Sequence, residues 1–294
     1  MATESGKRGS PKTVKPLFLN TLRISPYYSW TWKEFAAKSM IPIYRGGRGV
    51  PSKAPSIQTS EGCRLSIQQE KELAGRAAAE LVRDGDIVGL GTGSTAHFAI
   101  LALGDRLKSG LGSGLKVTGI PTSNATAELA RSVGIPLATL DQHPVIDIDI
   151  DGADEIDAHL NLIKGGGGAL LREKVIAAAS KKMVVIVDSA KLVTTLGKFP
   201  LPVEIVAFAR TVVENKIASL GATPKLRTRS DGSPYFTDNG NPILDCCFGK
   251  IEDPPALART LRDIPGVVEH GLFIGLASEA LVGRGDRVER IAGR

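Results

Sequence analysis

Cysteine is scarce, with three in 294 residues: Cys63, Cys246 and Cys247. Three thiols do not make a disulfide framework, and their spacing suits no zinc site, so all three read as reduced. Long apolar runs are missing too. Nothing approaches 18 uninterrupted apolar residues, which excludes a membrane-spanning helix. A basic surface is missing from most of the chain, despite a formal net charge of +6. Residues 1–60 hold ten Lys or Arg against two acids, and the remainder carries 27 basic against 29 acidic residues. The positive charge therefore belongs to the leader, and a nucleic-acid partner for the body is not supported. The leader also holds six prolines and eight serines. That composition fits an organelle transit peptide or a cytosolic disordered extension, so the expected location is cytoplasmic or organellar, in plastid or mitochondrion. Internal repeats are absent from the body.

What is present converges on residues 145–174. Val145 to Ile150 is a β-branched run that reads as a buried strand. Asp147, Asp149 and Asp151 alternate with Ile148 and Ile150, so the carboxylates share one side of it. The segment DGADEID then places Asp151, Asp154, Glu155 and Asp157 in a loop of seven residues. Lys164 precedes four glycines, Gly165 to Gly168, which lead into a helix carrying Glu173. Consecutive glycines are entropically costly and supply no packing, so they make sense where backbone N–H groups must approach a ligand. Acidic loops are usually solvated surface and glycine runs are often linkers. Their combination at the C-terminal end of a buried strand points instead to a ligand site. Carboxylates, an ammonium and a donor-rich loop are the groups needed to move a proton beside a developing oxyanion.

A second loop lies upstream. IVGLG (87–91) reads as a short strand, and Gly91-Thr92-Gly93-Ser94-Thr95-Ala96 runs into a helix, an arrangement that binds anions. It fits the relaxed dinucleotide fingerprint, but the acid that should bind a ribose about 20 residues on is absent. No lysine stands in the nucleotide-triphosphate position either. A phosphate monoester on a small ligand is the better match. Lys191, after the apolar strand 183–188, is a further candidate contact, although a lone loop lysine is more often solvated.

Strands alternating with helices predict an α/β fold, a doubly wound and mostly parallel sheet of Rossmann-like type. Within that pattern PLATL (136–140) reads as a strand. From Pro202 the order becomes β-α-β-β-α-β, the ferredoxin-like unit, with GVVEHGLFI (266–274) as its last strand. The expected organisation is a leader (1–60), a catalytic α/β domain (61–200 plus 274–294) and an inserted α+β domain (201–273). Ser66 and Gln69 resemble a capping box opening the body.

GTGSTAHF, DGADEID, IKGGGGALLREK, VDSAKLV, GKFPLPVEI, TDNGNPILD and IPGVVEHGLF, in that order, resemble the signature segments of ribose-5-phosphate isomerase, type A. The resemblance runs from about Glu61 to the C-terminus. It implies interconversion of ribose 5-phosphate and ribulose 5-phosphate through an enediolate, without metal or organic cofactor, by a homodimer or homotetramer. Position by position, it implies Glu173 as base, and Lys164 with the backbone of Gly165, Gly166 and Gly167 as the groups steadying the enediolate oxygens. Asp151, Gly152, Ala153 and Asp154 match contacts to substrate hydroxyls and to ring opening. Thr92, Gly93, Ser94 and Thr95 match the ligand loop, and Lys191 with Lys71 the phosphate side. An amino-sugar phosphate deaminase is the alternative enzyme, but it calls for a His-centred site, and neither His143 nor His159 has an obvious partner. A sugar-phosphate sensor of the same fold calls for a DNA-binding domain, which the proline-broken leader does not offer. A Glu near a helix N-terminus is often there for the macrodipole, which favours its ionised form.

Overall fold

The computed structural model describes residues 66–108 and 114–293; the leader and Cys63 lie outside them. The first helix, α1 (Ile67–Ala79), starts where local chemistry dictates. Ser66 N donates to Gln69 Oε1 at 2.8 Å and Gln69 N donates to Ser66 Oγ at 3.3 Å, closing the expected capping box. There follow β1 (Ile87–Leu90), α2 (Ser94–Lys108), β2 (Thr118–Pro121), α3 (Asn124–Val133) and β3 (Ile148–Gly152). Then come β4 (Glu155–Ile156), β5 (Leu162–Ile163), α4 (Leu170–Ala179) and β6 (Met183–Asp188). The next segment is β7 (Leu201–Ile205), α5 (Arg210–Ser219), β8 (Thr223–Leu226), β9 (Ile243–Cys247), α6 (Pro254–Arg262) and β10 (Val267–His270). The chain closes with β11 (Leu272–Phe273), β12 (Ala277–Arg284) and β13 (Arg287–Ala292).

The main sheet has the order β13-β12-β6-β3-β1-β2, parallel throughout except for the terminal hairpin β12–β13. Alternation along β6 shows how it is buried on both faces. Val184 and Ile186 pack with Ala74, Ala78, Ile100 and Leu103 of α1 and α2, whereas Val185 and Val187 pack with Ile156, Leu162, Ala177 and Phe273. In β3, Ile148 and Ile150 join the α1–α2 side. Asp149 and Asp151 therefore turn to the side covered by α4, and that parity places the carboxylates under Glu173.

A three-stranded sheet, β11-β5-β4, covers the same face. It corrects two readings. DGADEID is not one loop: Asp151 and Gly152 finish β3, and Glu155–Ile156 pair antiparallel with Leu162–Ile163. The hairpin brings Asp154 beside Lys164, with Asp154 N donating to Ile163 O at 2.8 Å. GVVEHGLFI is not one strand either. It breaks at Gly271, so that β10 pairs with β7 and β11 with β5 in different sheets. A side chain at Gly271 would fall on the carbonyl of Lys164, so the break sits where two layers meet most closely. PLATL contributes only an isolated bridge between Leu137 and Gly119, because Pro136 has no N–H to lend a ladder.

The four-stranded sheet, order β10-β7-β9-β8, is antiparallel throughout, and α5 and α6 occupy the two crossovers of a ferredoxin-like βαββαβ chain. Its core gathers Val203, Ile205, Val213, Ile217, Leu244, Cys246 and Leu261. Cys246 is buried there and Cys247 points outward, as alternation in β9 requires. The described residues, 66–108 and 114–293, pack as a single unit; we propose 201–273 as a domain within it.

Candidate active site

The C-terminal ends of β1 and β3 meet the glycine run and the start of α4 around one cleft. Its walls are Thr92–Thr95, Gly152–Asp154, Lys164–Gly167, Glu173 and Lys191. Thirteen of the fifteen residues expected at the site therefore line one cavity. The other two stand directly behind it. Asp151 is fully buried and holds Lys164, and Lys71 Nζ donates to Ser94 Oγ at 2.9 Å.

Lys164 is the centre of the buried half. Its ammonium donates to Gly152 O at 2.6 Å, lies 2.9 Å from Asp151 Oδ2 and 3.4 Å from Glu173 Oε2. Phe273 covers it, with the ring centroid 5.4 Å from Nζ. Asp151 is fixed in turn by N–H donors, Gly152 N at 2.7 Å and Thr92 N at 3.2 Å, both to Oδ1. Gly91 cannot carry a side chain, since a Cβ there would collide with the Asp151 carboxylate. Asp154 is more open and accepts from Gly166 N at 2.7 Å through Oδ2.

The charge balance decides the protonation. Asp149, Asp151 and Glu173 are all buried, and Lys164 is the cation held among them. Burial opposes the charge on Lys164, but Asp151 and Glu173 outweigh it and hold its pKa above the ordinary lysine value. One ammonium cannot offset three desolvated carboxylates. Burial, with the charge of Asp151, pushes Asp149 well above the usual carboxylate range. Burial also raises Glu173 to about 8, with Lys164 pulling down and Asp151 and Asp154 pushing up. The macrodipole at the start of α4, expected to favour ionised Glu173, is thus overridden by desolvation. A carboxylate tuned near neutrality is a competent general base.

The other half of the cleft is formed by the Thr92–Thr95 loop and Lys191. Thr92 Oγ1 is ringed by hydroxyls: Thr122 Oγ1 at 2.6 Å, Ser123 Oγ at 2.8 Å and Thr126 Oγ1 at 3.0 Å. The network holds the Gly91–Thr95 loop at the start of α2, with Thr126 Oγ1 donating to Gly91 O at 3.0 Å. Lys191 lines this end, and Lys71 lies 3.9 Å from buried Asp188 while donating to Ser94. The hydroxyls of residues 122, 123 and 126 escaped the sequence reading. Their signal was a Thr-Ser pair ending a strand and capping the next helix, where Ser123 Oγ accepts from Thr126 N.

None of the four histidines lines the cleft. Among the described residues, no group of three or more His, Cys, Asp or Glu side chains could hold a metal ion.

Comparison with known proteins agrees with this geometry. Residues 118–287 match the family model for ribose 5-phosphate isomerase A (phosphoriboisomerase A). The chain is 52% identical over 225 residues to a ribose-5-phosphate isomerase A of Parvibaculum lavamentivorans, covering 74% of this chain and 96% of that protein. The ribose 5-phosphate isomerase A structure from Methanocaldococcus jannaschii superposes with a TM-score of 0.73 at 41% identity, covering 77% of this chain and all of that one. A D-ribose-5-phosphate isomerase structure in complex with phospho-erythronic acid gives a TM-score of 0.75 at 39% identity, covering 78% of this chain and 100% of that one.

Proposed function

The chain belongs to the ribose 5-phosphate isomerase A family, and on that premise we propose how its cleft interconverts ribose 5-phosphate and ribulose 5-phosphate. The observation that carries the reading is one cavity with a tunable carboxylate and ammonium at one end and a hydroxyl-lined helix start at the other. Aldose–ketose isomerisation takes the C2 proton of the open-chain aldose and returns a proton to C1. Glu173 removes it as carboxylate and delivers it as acid, so one residue serves both directions. The charge that develops on the C1 oxygen is met by Lys164 and by N–H groups of the glycine run, and the O2 hydroxyl proton passes to O1 as C2 becomes the carbonyl. Asp154, on the cleft wall, is the acceptor proposed for substrate hydroxyls and the ring-opening proton transfer, whereas Asp151, expected in the same role, is buried behind Lys164 and acts through it. Purified protein converting ribose 5-phosphate, but not glucosamine 6-phosphate, is the direct test. The reverse preference would favour the deaminase reading, which the absence of histidine from the cleft disfavours.

Phosphate is assigned to the Thr92–Thr95 loop and Lys191, with Lys71 acting through Ser94. Lys191→Ala is expected to raise KM for ribose 5-phosphate by roughly tenfold or more while kcat changes little, because a contact remote from the reacting carbons binds ground and transition state alike. A large fall in kcat at unchanged KM would place Lys191 in the chemical step.

We also propose that catalysis needs no metal, since Lys164 already supplies positive charge at the reacting end. Exhaustive chelation is expected to leave the rate unchanged; activity lost to chelator and regained with magnesium or zinc overturns this. A homodimer or homotetramer is proposed in keeping with the family. Light scattering on micromolar protein should give two or four chain masses, and a single chain mass would exclude it.

A further inference from the structure

The glycine run raises a question that the cleft alone does not answer. A peptide between two glycines has little steric reason to keep one orientation, since both residues tolerate conformations closed to other side chains. Gly168 N donates to Gly165 O at 2.9 Å and closes the run into a turn, but the central Gly166–Gly167 peptide of a turn can still flip, so an N–H there that must face a developing oxyanion needs something outside the run to hold it. In a trans peptide the carbonyl of one residue points opposite to the N–H of the next. Whatever holds the carbonyls thus aims the donors.

The carbonyls are held from the four-stranded sheet. Arg227 Nη1 donates to Gly165 O at 2.9 Å and to Gly166 O at 3.2 Å. Tyr235 Oη donates to Gly167 O at 3.4 Å, and a side chain at Gly168 would collide with that phenol. Three successive carbonyls are drawn towards one wall. Gly166 N–H accordingly reaches Asp154 on the opposite side. Gly167 N–H, opposite to the carbonyl that Arg227 holds, makes no hydrogen bond among the described residues and belongs to a residue lining the cleft.

Arg227 is itself immobilised. Its guanidinium forms a two-pronged pair with Asp245, Nε to Oδ2 at 2.9 Å and Nη2 to Oδ1, and lies over the Tyr235 ring at 5.8 Å from the centroid. The fork leaves Nη1 aimed at the glycine carbonyls. Arg227 follows β8 and Asp245 lies in β9, so the clamp is anchored in a different sheet from every group that lines the chemical end of the cleft. Neither side chain lines the cleft itself.

We propose that Arg227, locked by Asp245, is a positioning residue that orients the Gly166–Gly167 peptide so that Gly167 N–H stabilises the enediolate oxygen. The inference rests on the isomerase reading above and deepens it. Arg227→Ala is expected to lower kcat roughly 10–100-fold, since one mis-aimed oxyanion donor costs up to about that of a deleted one, with KM changing less than about threefold. Guanidinium chloride at millimolar concentration should restore part of the lost kcat, which a general folding defect would not permit. Binding should show the same split. Phospho-erythronic acid, whose carboxylate presents oxygens as the enediolate does, should bind the variant more weakly by a similar factor, while inorganic phosphate binds as to wild type. A folded Arg227→Ala variant with wild-type kcat, or with a loss confined to KM, overturns the proposal. So does a kcat loss that guanidinium leaves untouched. If Arg227→Ala does not fold, Asp245→Asn decides: it keeps the volume but loosens the fork, and wild-type kcat in that variant is equally fatal. If wild-type protein does not turn over ribose 5-phosphate, the isomerase reading fails. The phospho-erythronic acid comparison then still judges Arg227.

Discussion

Glu173→Gln is expected to lower kcat by roughly 10²–10⁴-fold, the usual range for loss of a general base, with little change in KM. The amide keeps the volume and can still accept from Lys164, which lies 3.4 Å from Oε2, but it cannot take a proton. Isotope exchange separates this from a structural defect. In deuterated water the wild-type enzyme should place solvent deuterium at C1 of newly formed ribulose 5-phosphate, and the variant should neither turn over nor wash out the C2 hydrogen. Exchange at a near wild-type rate in the variant would transfer the role to Asp154, the other carboxylate on the cleft wall.

The same residue sets the pH dependence. Burial raises Glu173 to about 8, so its base form is depleted below that pH and accumulates above it. In the free enzyme kcat/KM should therefore climb as pH rises from 6, reach half its maximum near 8 and level off above about 9. In Glu173→Gln the residual activity should lose that limb. A wild-type profile flat between pH 6 and 9 would place the titration of the base elsewhere.

Lys164 carries the second large expectation. Lys164→Met is expected to lower kcat by about 10²–10³-fold, the scale seen for removal of an oxyanion donor. The ammonium donates to Gly152 O and is ion-paired with Asp151 and Glu173. The longest of these contacts is to Glu173, and it is the one a substrate oxygen can replace as Glu173 takes up the proton. The variant also leaves Asp151 buried without its counter-charge, so its folding must be checked by calorimetry beside the kinetics. The double variant with Glu173→Gln should lose less than the product of the single losses, because both groups serve one transition state. Strict multiplicativity would mean that the two act in separate steps.

Both residues were legible before any coordinates, and so was much of the frame around them. Ser66 and Gln69 announce the start of α1, the Asp/Ile alternation gives β3 its two faces, and four glycines beside a lysine mark a donor-rich loop. These signals are readable because caps, turns and strand faces are set by residues within a few positions of one another. The family resemblance supplied the roles, residue by residue. It also supplied Lys71, whose link to Ser94 spans 23 positions and has no local signature.

What only the tertiary structure decided are quantities that depend on groups far apart in the chain. GVVEHGLFI looks like one strand because its pattern is continuous. It divides between two sheets because Gly271 lies against the Lys164 carbonyl, where no side chain fits. Ionised Glu173 is favoured by its place on a helix. Its pKa of about 8 follows from burial, together with neighbours delivered by β3 and the β4–β5 hairpin. Arg227 is an unremarked basic residue in KLRTR until folding carries it across 62 positions to the carbonyl of Gly165. The sequence by itself determined which groups this protein brings to its chemistry. Desolvation and orientation, which decide how those groups behave, exist only once separate layers have closed over one another.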